Sequence, residues 1–185
     1  MLQAMWKLHA VVTSLTWLMA IQLVNSFVVT HIDYCNSLLV GLPAYQLDRV
    51  QSVLNFAARL AYSRGKYDHV MPLLPAHLHW LHITMRVTFK CCLLAFKALN
   101  GQESGYITDF CVRVPVSKRF STLRSAGSFQ CKLVVSQRVS KFAERSISMS
   151  GSHAWNSLPD YVKSSTSVHI CKSRLKCHLY RVSFP

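Results

Sequence analysis

Carboxylates are the side chains whose spacing bears most directly on catalysis in this 185-residue sequence. There are seven, and no two lie closer than six residues: Asp33, Asp48, Asp68, Glu103, Asp109, Glu144 and Asp160. A two-metal phosphoryl-transfer site needs several carboxylates that converge on Mg²⁺, and no local group of them is present. The sequence therefore predicts no catalytic residues of this kind.

Two groups of His and Cys residues have spacings that could be compared with those of zinc sites. The first consists of His169, Cys171, Cys177 and His178. On a helix Cys171 and Cys177 lie about 600° apart, on different sides, and their spacing differs from that of structural zinc motifs. The second, with His77, His79 and His82, lies in a proline-rich stretch and lacks a fourth ligand. We therefore expect no metal ion and no other cofactor.

Motifs for covalent catalysis and nucleotide binding are also missing. The sequence contains no Gly-x-Ser-x-Gly elbow and no glycine-rich phosphate loop, and it has only six glycines. We expect no small-molecule substrate. The seven cysteines are odd in number and form no CxxC pair, which indicates reduced thiols in a cytoplasmic or nuclear protein.

Charge is distributed unevenly along the chain. Lys and Arg number 21 and Asp and Glu 7, for a net charge of +14. Residues 1–60 carry 3 basic and 2 acidic groups, whereas residues 61–185 carry 18 and 5. Such an excess favours a polyanionic partner, because Lys and Arg release counterions when they neutralise phosphates. An anionic membrane surface is the alternative partner.

The candidate nucleic-acid-binding residues are Arg86, Lys90, Lys97, Lys118, Arg119, Lys172 and Lys176. The first three share one face of a predicted helix, at offsets of 4 and 7 residues. That face is either a solvated surface or a ridge that contacts phosphates. Lys118 and Arg119 lie in a predicted exposed loop, and Lys172 and Lys176 lie away from the apolar face of the last helix.

The elements that must position these residues are predicted to be mainly α-helical. Apolar spacing predicts helices over 10–32, 44–62, 83–100 and 105–115, and a last helix from Val168 to Val182 that is capped within Ser164–Ser167. The apolar face of the helix over 44–62 consists of Leu47, Val50, Leu54, Ala57 and Ala61, and that of the last helix consists of Val168, Cys171, Leu175, Leu179 and Val182. Gly101 is the predicted stop of the helix over 83–100. A short strand is predicted over 129–135, and a turn that buries an indole over Trp155–Pro159. We expect a helical bundle followed by a mixed, partly irregular extension that ends in a helix.

The segment from Leu8 to Ile32 contains no charged side chain and is long enough to span a bilayer. Its many Ser, Thr, Asn, Gln and His residues weaken insertion. A buried helix is therefore the preferred interpretation, and a membrane anchor over 8–32 is the alternative.

Three stretches in order carry a resemblance to a known family. They are HIDYCNSLLVGLPAYQLDRVQSVLNFAARL (31–60), YDHVMPLLPAHLHWLHITMRVTFKCCLLAFKALNG (67–101) and WNSLPDYVKSSTSVHICKSRLKCHL (155–179). Together they resemble the region after the polymerase palm in LINE-type (non-LTR) retrotransposon reverse transcriptases, near the jockey-like groups. Residues 1–27 match poorly. His82 stands where the family usually has proline, and Cys171 and Cys177 also depart from its pattern.

The resemblance implies a helical thumb-like region over 1–101 and a basic C-terminal extension over 102–185. It also implies that the paired metal-binding aspartates of the palm lie upstream in the family. We expect a non-catalytic remnant that binds the backbone of RNA or DNA, as a template–primer duplex is bound, weakly and without sequence preference. The alternatives are a small membrane-anchored protein and a helical protein-interaction module.

Overall fold

The fold follows the helical periodicity of the sequence. A computed structural model describes residues 15–65, 67–70, 74–111, 133 and 147–184. These residues are mainly helical, which confirms the predicted fold class, and they include no β-strand. Of the strand predicted over 129–135, only Leu133 lies within the described residues.

The chain forms two compact units. The first comprises the described residues up to Cys35 together with Leu42–Ile83, and the second comprises Asn36–Gly41 and the described residues from Thr84 onward. The resemblance implies a boundary at residue 101 between a thumb-like region and a C-terminal extension. That boundary is defined by the family and not by packing, and it stays a prediction.

The first unit begins with one helical stretch over residues 17–33. Helix α1 (Trp17–Val24) runs into a π-helical turn (Asn25–Val29) and then into α2 (Thr30–Asp33). This stretch accounts for the described part of the apolar helix predicted over 10–32. Within the described part of the chain, no helix is both long and apolar enough to cross a lipid bilayer.

Helix α3 (Ala44–Ala61) packs against α1 and matches the helix predicted over 44–62. Its predicted apolar face is correct, because Leu54, Ala57 and Ala61 are buried and Leu47 is half-buried. The side-chain oxygen Oε1 of Gln51 accepts a hydrogen bond of 2.8 Å from the backbone N–H of Ile83. This bond joins α3 to the last residue of the first unit.

The second unit contains the remaining helices: α4 (Ile83–Leu99, from Thr84 onward), α5 (Gly105–Phe110), α6 (Ile147–Asn156), α7 (Asp160–Lys163) and α8 (Val168–Ser183). The predicted stop of α4 is confirmed: Gly101 has a φ of 65°, the left-handed conformation that glycine adopts without strain. The predicted cap of the last helix is also confirmed, since Ser167 accepts a hydrogen bond from the N–H of Ile170.

The core of the second unit is built from thiols, aromatic rings and aliphatic chains. It includes Cys91, Cys92, Phe96, Trp155, Cys171, Leu175 and Leu179. The rings of Phe96 and Trp155 lie 6.2 Å apart. The indole is buried, as predicted, but it belongs to the last turn of α6, and the connecting turn begins only after Asn156.

One residue of the predicted apolar face of α8 is wrongly assigned. Val182 is 54% exposed, whereas Cys171, Leu175 and Leu179 on the same face are buried. Val182 lies in the last turn of the helix, beyond the part that the core covers.

We predict that Leu175→Ala lowers the free energy of unfolding by about 2–5 kcal/mol, because it removes fully buried methyl groups and leaves a cavity. Val182→Ala on the same helix is the control and should change stability by less than about 0.5 kcal/mol. Urea unfolding of the full chain measures both values. Equal effects of the two substitutions would show that α8 does not pack through the Leu175 face.

Candidate nucleic-acid interface

The two units differ in charge. The described residues of the first unit carry three basic and three acidic side chains: Arg49, Arg59, Arg64, Asp33, Asp48 and Asp68. Those of the second unit carry eight basic side chains and three acidic ones, Glu103, Asp109 and Asp160. The positive excess of the described residues therefore lies entirely in the second unit.

The three candidate residues on α4 share one face, as the sequence predicts. At about 100° per residue, Arg86, Lys90 and Lys97 fall within about 40° of one another around the helix axis. All three side chains are half-buried. They form a narrow stripe beside the apolar surface of α4.

Two of the three stripe residues have interactions within the protein. The ammonium of Lys97 lies 2.9 Å from Oε1 of Glu103, which the turn after Gly101 brings back toward the helix. Burial raises the pKa of the Tyr180 hydroxyl, and the nearby charge of Arg86 opposes that rise. Lys90 forms no ion pair with any residue that the structure describes. It is therefore the member of the stripe whose charge is directly available to a ligand.

On α8 the candidates Lys172 and Lys176 are both exposed, one turn apart. The helix contains no Asp or Glu, so their charges are not neutralised by their own element. Two lysines on one exposed helical face place their ammonium groups where phosphates can reach them.

The sequence analysis missed two further cations on α8, Arg174 and Arg181. Both are exposed, and their separation of seven residues puts them on one side of the helix. The seven-residue spacing of Arg174 and Arg181 is present in the sequence and could have identified them as candidate binding residues. Nη1 of Arg174 donates a hydrogen bond of 2.7 Å to the carbonyl oxygen of Tyr161, a contact that the sequence did not indicate.

A second side-chain contact joins α7 to the same side of α8. The ring of Tyr161 lies 6.3 Å from the imidazole of His178 in an edge-to-face arrangement with an interplanar angle of 78°. Tyr161 remains nearly half exposed. These contacts fix the short helix α7 against the Arg174 side of α8.

Lys118 and Arg119 lie outside the described residues. Leu133 is the one residue between 112 and 146 that the structure describes. The side-chain amide of Asn156 forms hydrogen bonds with both of its backbone polar groups. Oδ1 of Asn156 accepts from the Leu133 N–H at 2.9 Å, and Nδ2 donates to its carbonyl oxygen at 3.0 Å. Residues 112–146 carry eight Lys and Arg and one Glu. This amide therefore holds Leu133 at the end of α6.

Lys163 is a basic residue with a structural role. Its side chain is buried, Nζ donates to the carbonyl oxygen of Asn156 at 3.1 Å, and Oδ1 of Asp160 lies 4.0 Å away. A buried charge needs such partners to offset its desolvation. Lys163 is therefore not part of an interface.

The buried thiols of the second unit are poor nucleophiles. Burial raises the pKa of Cys91 to about 11, and it raises that of Cys92 further, with help from the neighbouring Cys91 and Cys171. A thiol reacts and binds metals as the thiolate, and these thiols hold their protons at neutral pH. They form part of the core rather than a reactive site.

The described residues contain no group of three or more His, Cys, Asp or Glu side chains that could hold a metal ion. Cys171 is buried and Cys177 exposed, which confirms that they lie on different sides of the last helix. His77 and His79 are exposed, and His82 is half-buried.

Comparison with known proteins finds no matching family model, no matching curated protein and no matching solved structure. The resemblance of residues 28–180 to LINE-type reverse transcriptases remains a prediction.

We predict that alkylation of the native chain at mildly alkaline pH modifies Cys35 and Cys177 and spares Cys91, Cys92 and Cys171. The first two thiols are exposed, whereas the other three are buried with raised pKa values. Peptide mass spectrometry measures the extent at each site, with the urea-unfolded chain as the control for full reactivity. Modification of Cys92 as fast as Cys177 would contradict the buried core.

The raised thiol pKa values also make the stability of the folded chain depend on pH. The unfolded thiol of Cys91 loses its proton near its ordinary pKa of 9.0, whereas the folded thiol keeps it to about 11. Stability is therefore fully present below pH 9 and decreases between these two values. Urea unfolding at pH 8 and pH 10 should show this loss, and Cys91→Ala should reduce its size.

Proposed function

We propose that this chain binds the phosphate backbone of RNA or DNA through its second unit, without sequence preference and without catalysis. The observation that carries the proposal is the concentration of positive charge in that unit: its described residues carry eight basic and three acidic side chains, whereas those of the first unit carry three of each. A phosphate-binding surface requires such a concentration.

The exposed cations have the chemistry of backbone contacts. Lys90, Lys172 and Lys176 end in compact ammonium groups on flexible stems, which follow phosphates without a fixed geometry. Contacts of this kind position a protein on a nucleic acid and carry no base information. The proposed binding is therefore independent of sequence and sensitive to salt.

The proposal includes the absence of polymerase activity in this chain. The resemblance places it after the palm, and its seven carboxylates include no adjacent aspartates. A function in gripping a template–primer duplex fits both the resemblance and the basic second unit. The corresponding compartment is the cytoplasm or the nucleus.

A helical protein-interaction module is the second candidate. The observation in its favour is the exposure of large apolar side chains at the start of the first unit, where Trp17, Leu18, Met19 and Phe27 are each more than half exposed. Exposed apolar surface of this extent is typical of a surface that contacts another protein. This candidate predicts a partner of the first unit rather than of the second.

We predict that replacing Lys172 and Lys176 by Gln weakens binding of the full chain to short nucleic acids of any sequence. The loss of two phosphate contacts should reduce the slope of log affinity against log salt by about 1.8 on duplex DNA. The matched control is Arg49→Gln with Arg64→Gln, which removes the same charge from exposed positions of the first unit. Fluorescence anisotropy over a salt series measures both variants.

The control should leave the salt slope almost unchanged. Equal losses in the two variants would show that net charge alone drives binding and would remove the assignment to the second unit. Undetectable binding at about 50 mM salt would refute nucleic-acid binding and leave the interaction module as the better candidate.

A further inference from the structure

Helix α8 has cations on both sides of an uncharged ridge. The ridge is formed by the exposed side chains of Ile170, Ser173 and Cys177, on the side of the helix opposite the buried Leu175 and Cys171. At about 100° per residue, Ser173 lies about 160° around the helix axis from Leu175. The ridge is therefore the outermost part of α8.

The two flanks of the ridge are both basic. Lys172 and Lys176 lie on one flank, and Arg174 and Arg181 lie on the other. At about 100° per residue, the lysines of one flank and the arginines of the other are roughly 140–180° apart around the axis. All four side chains are exposed, and α8 contains no acidic residue to neutralise them.

The arginine flank is held by the fold. Arg174 donates one hydrogen bond, to the carbonyl oxygen of Tyr161. A guanidinium has five N–H donors. It therefore keeps donors for a second acceptor. The ring of His178 against Tyr161 keeps α7 beside this flank and away from the ridge.

We propose that α8 enters the major groove of B-form duplex DNA, with the lysine flank on the phosphates of one strand and the arginine flank on those of the other. This inference rests on the proposed nucleic-acid binding and names its preferred substrate. A helix with its side chains is about 10–12 Å across, and the major groove of B-DNA is about 12 Å wide. Cations on opposite flanks of such a helix face opposite walls of the groove.

The side chains of the ridge are consistent with a helix that enters the groove without recognising the DNA sequence. Ser173 and Cys177 are small enough to approach the floor of the groove. The ridge has no Arg, Asn or Gln, the side chains that form bidentate contacts with base edges. The A-form duplex of RNA has a deep and narrow major groove that side chains cannot read, so the same helix does not fit it.

The test is a substitution that blocks insertion without changing charge. Ser173→Trp places an indole on the exposed ridge, and Ser52→Trp on the exposed surface of α3 is the matched control. Anisotropy is measured for the full chain and both variants with three probes: a DNA duplex, an RNA duplex of the same sequence, and the single DNA strand. Phosphate ethylation interference on the DNA duplex shows which strands are contacted.

We expect the unsubstituted chain and Ser52→Trp to prefer the DNA duplex to the RNA duplex by about tenfold or more. Ser173→Trp should lose that preference and keep weaker, salt-sensitive binding to all three probes. Interference should occur on both strands across one major groove.

Each of the following results would overturn the proposal. Equal binding of the DNA and RNA duplexes, or interference on one strand alone, would refute groove insertion and leave backbone binding by the second unit intact. Salt-sensitive binding that Ser173→Trp does not alter would do the same. Binding to none of the probes at low salt would overturn this inference together with the proposed function, whereas salt-sensitive binding without groove insertion would overturn this inference alone.

Discussion

The packing of uncharged helix faces into one core is the constraint on which the second unit depends. Helix α8 can bury only the face that has no cation, through Cys171, Leu175 and Leu179, because an unpaired ammonium in the core would cost several kcal/mol. Every other side of α8 must then face outward with its Lys and Arg residues. The same apolar contacts that stabilise the unit therefore determine where its positive charge is displayed. The position of the proposed phosphate-binding surface is therefore set by the packing of the core.

The internal partners of some cations decide which charges remain available. Lys97 is paired with Glu103, and Lys163 is buried against the carbonyl oxygen of Asn156. Both stabilise the fold. With three acidic groups among the described residues of the second unit, most of its eight basic groups have no acidic partner to take. The exposed cations of α8, together with Lys90 on α4, are the charges that the proposed binding of a phosphate backbone would use.

Much of the fold could be predicted because helical spacing is a local property of the sequence. The apolar positions of α3 and α8, the glycine stop after α4 and the Ser167 cap all lie within a few residues of what they control. The π-helical turn at Asn25–Val29 could not be predicted, since the same apolar segment also fits a regular helix. For the interface, the shared face of Arg86, Lys90 and Lys97 followed from spacing. The pairing of Lys97 with Glu103 and the bond from Arg174 to Tyr161 depend on how turns bring elements together, which the spacing does not contain.

The central claim is that nucleic acid contacts the second unit and leaves the first free. Hydrogen–deuterium exchange of the full chain, with and without a saturating DNA duplex, tests it most directly because every described helix is followed in one experiment. We predict slower exchange in α8 and in the part of α4 around Lys90, and unchanged exchange in α3. Protection that is confined to α1 and α3, or spread equally over both units, would contradict it.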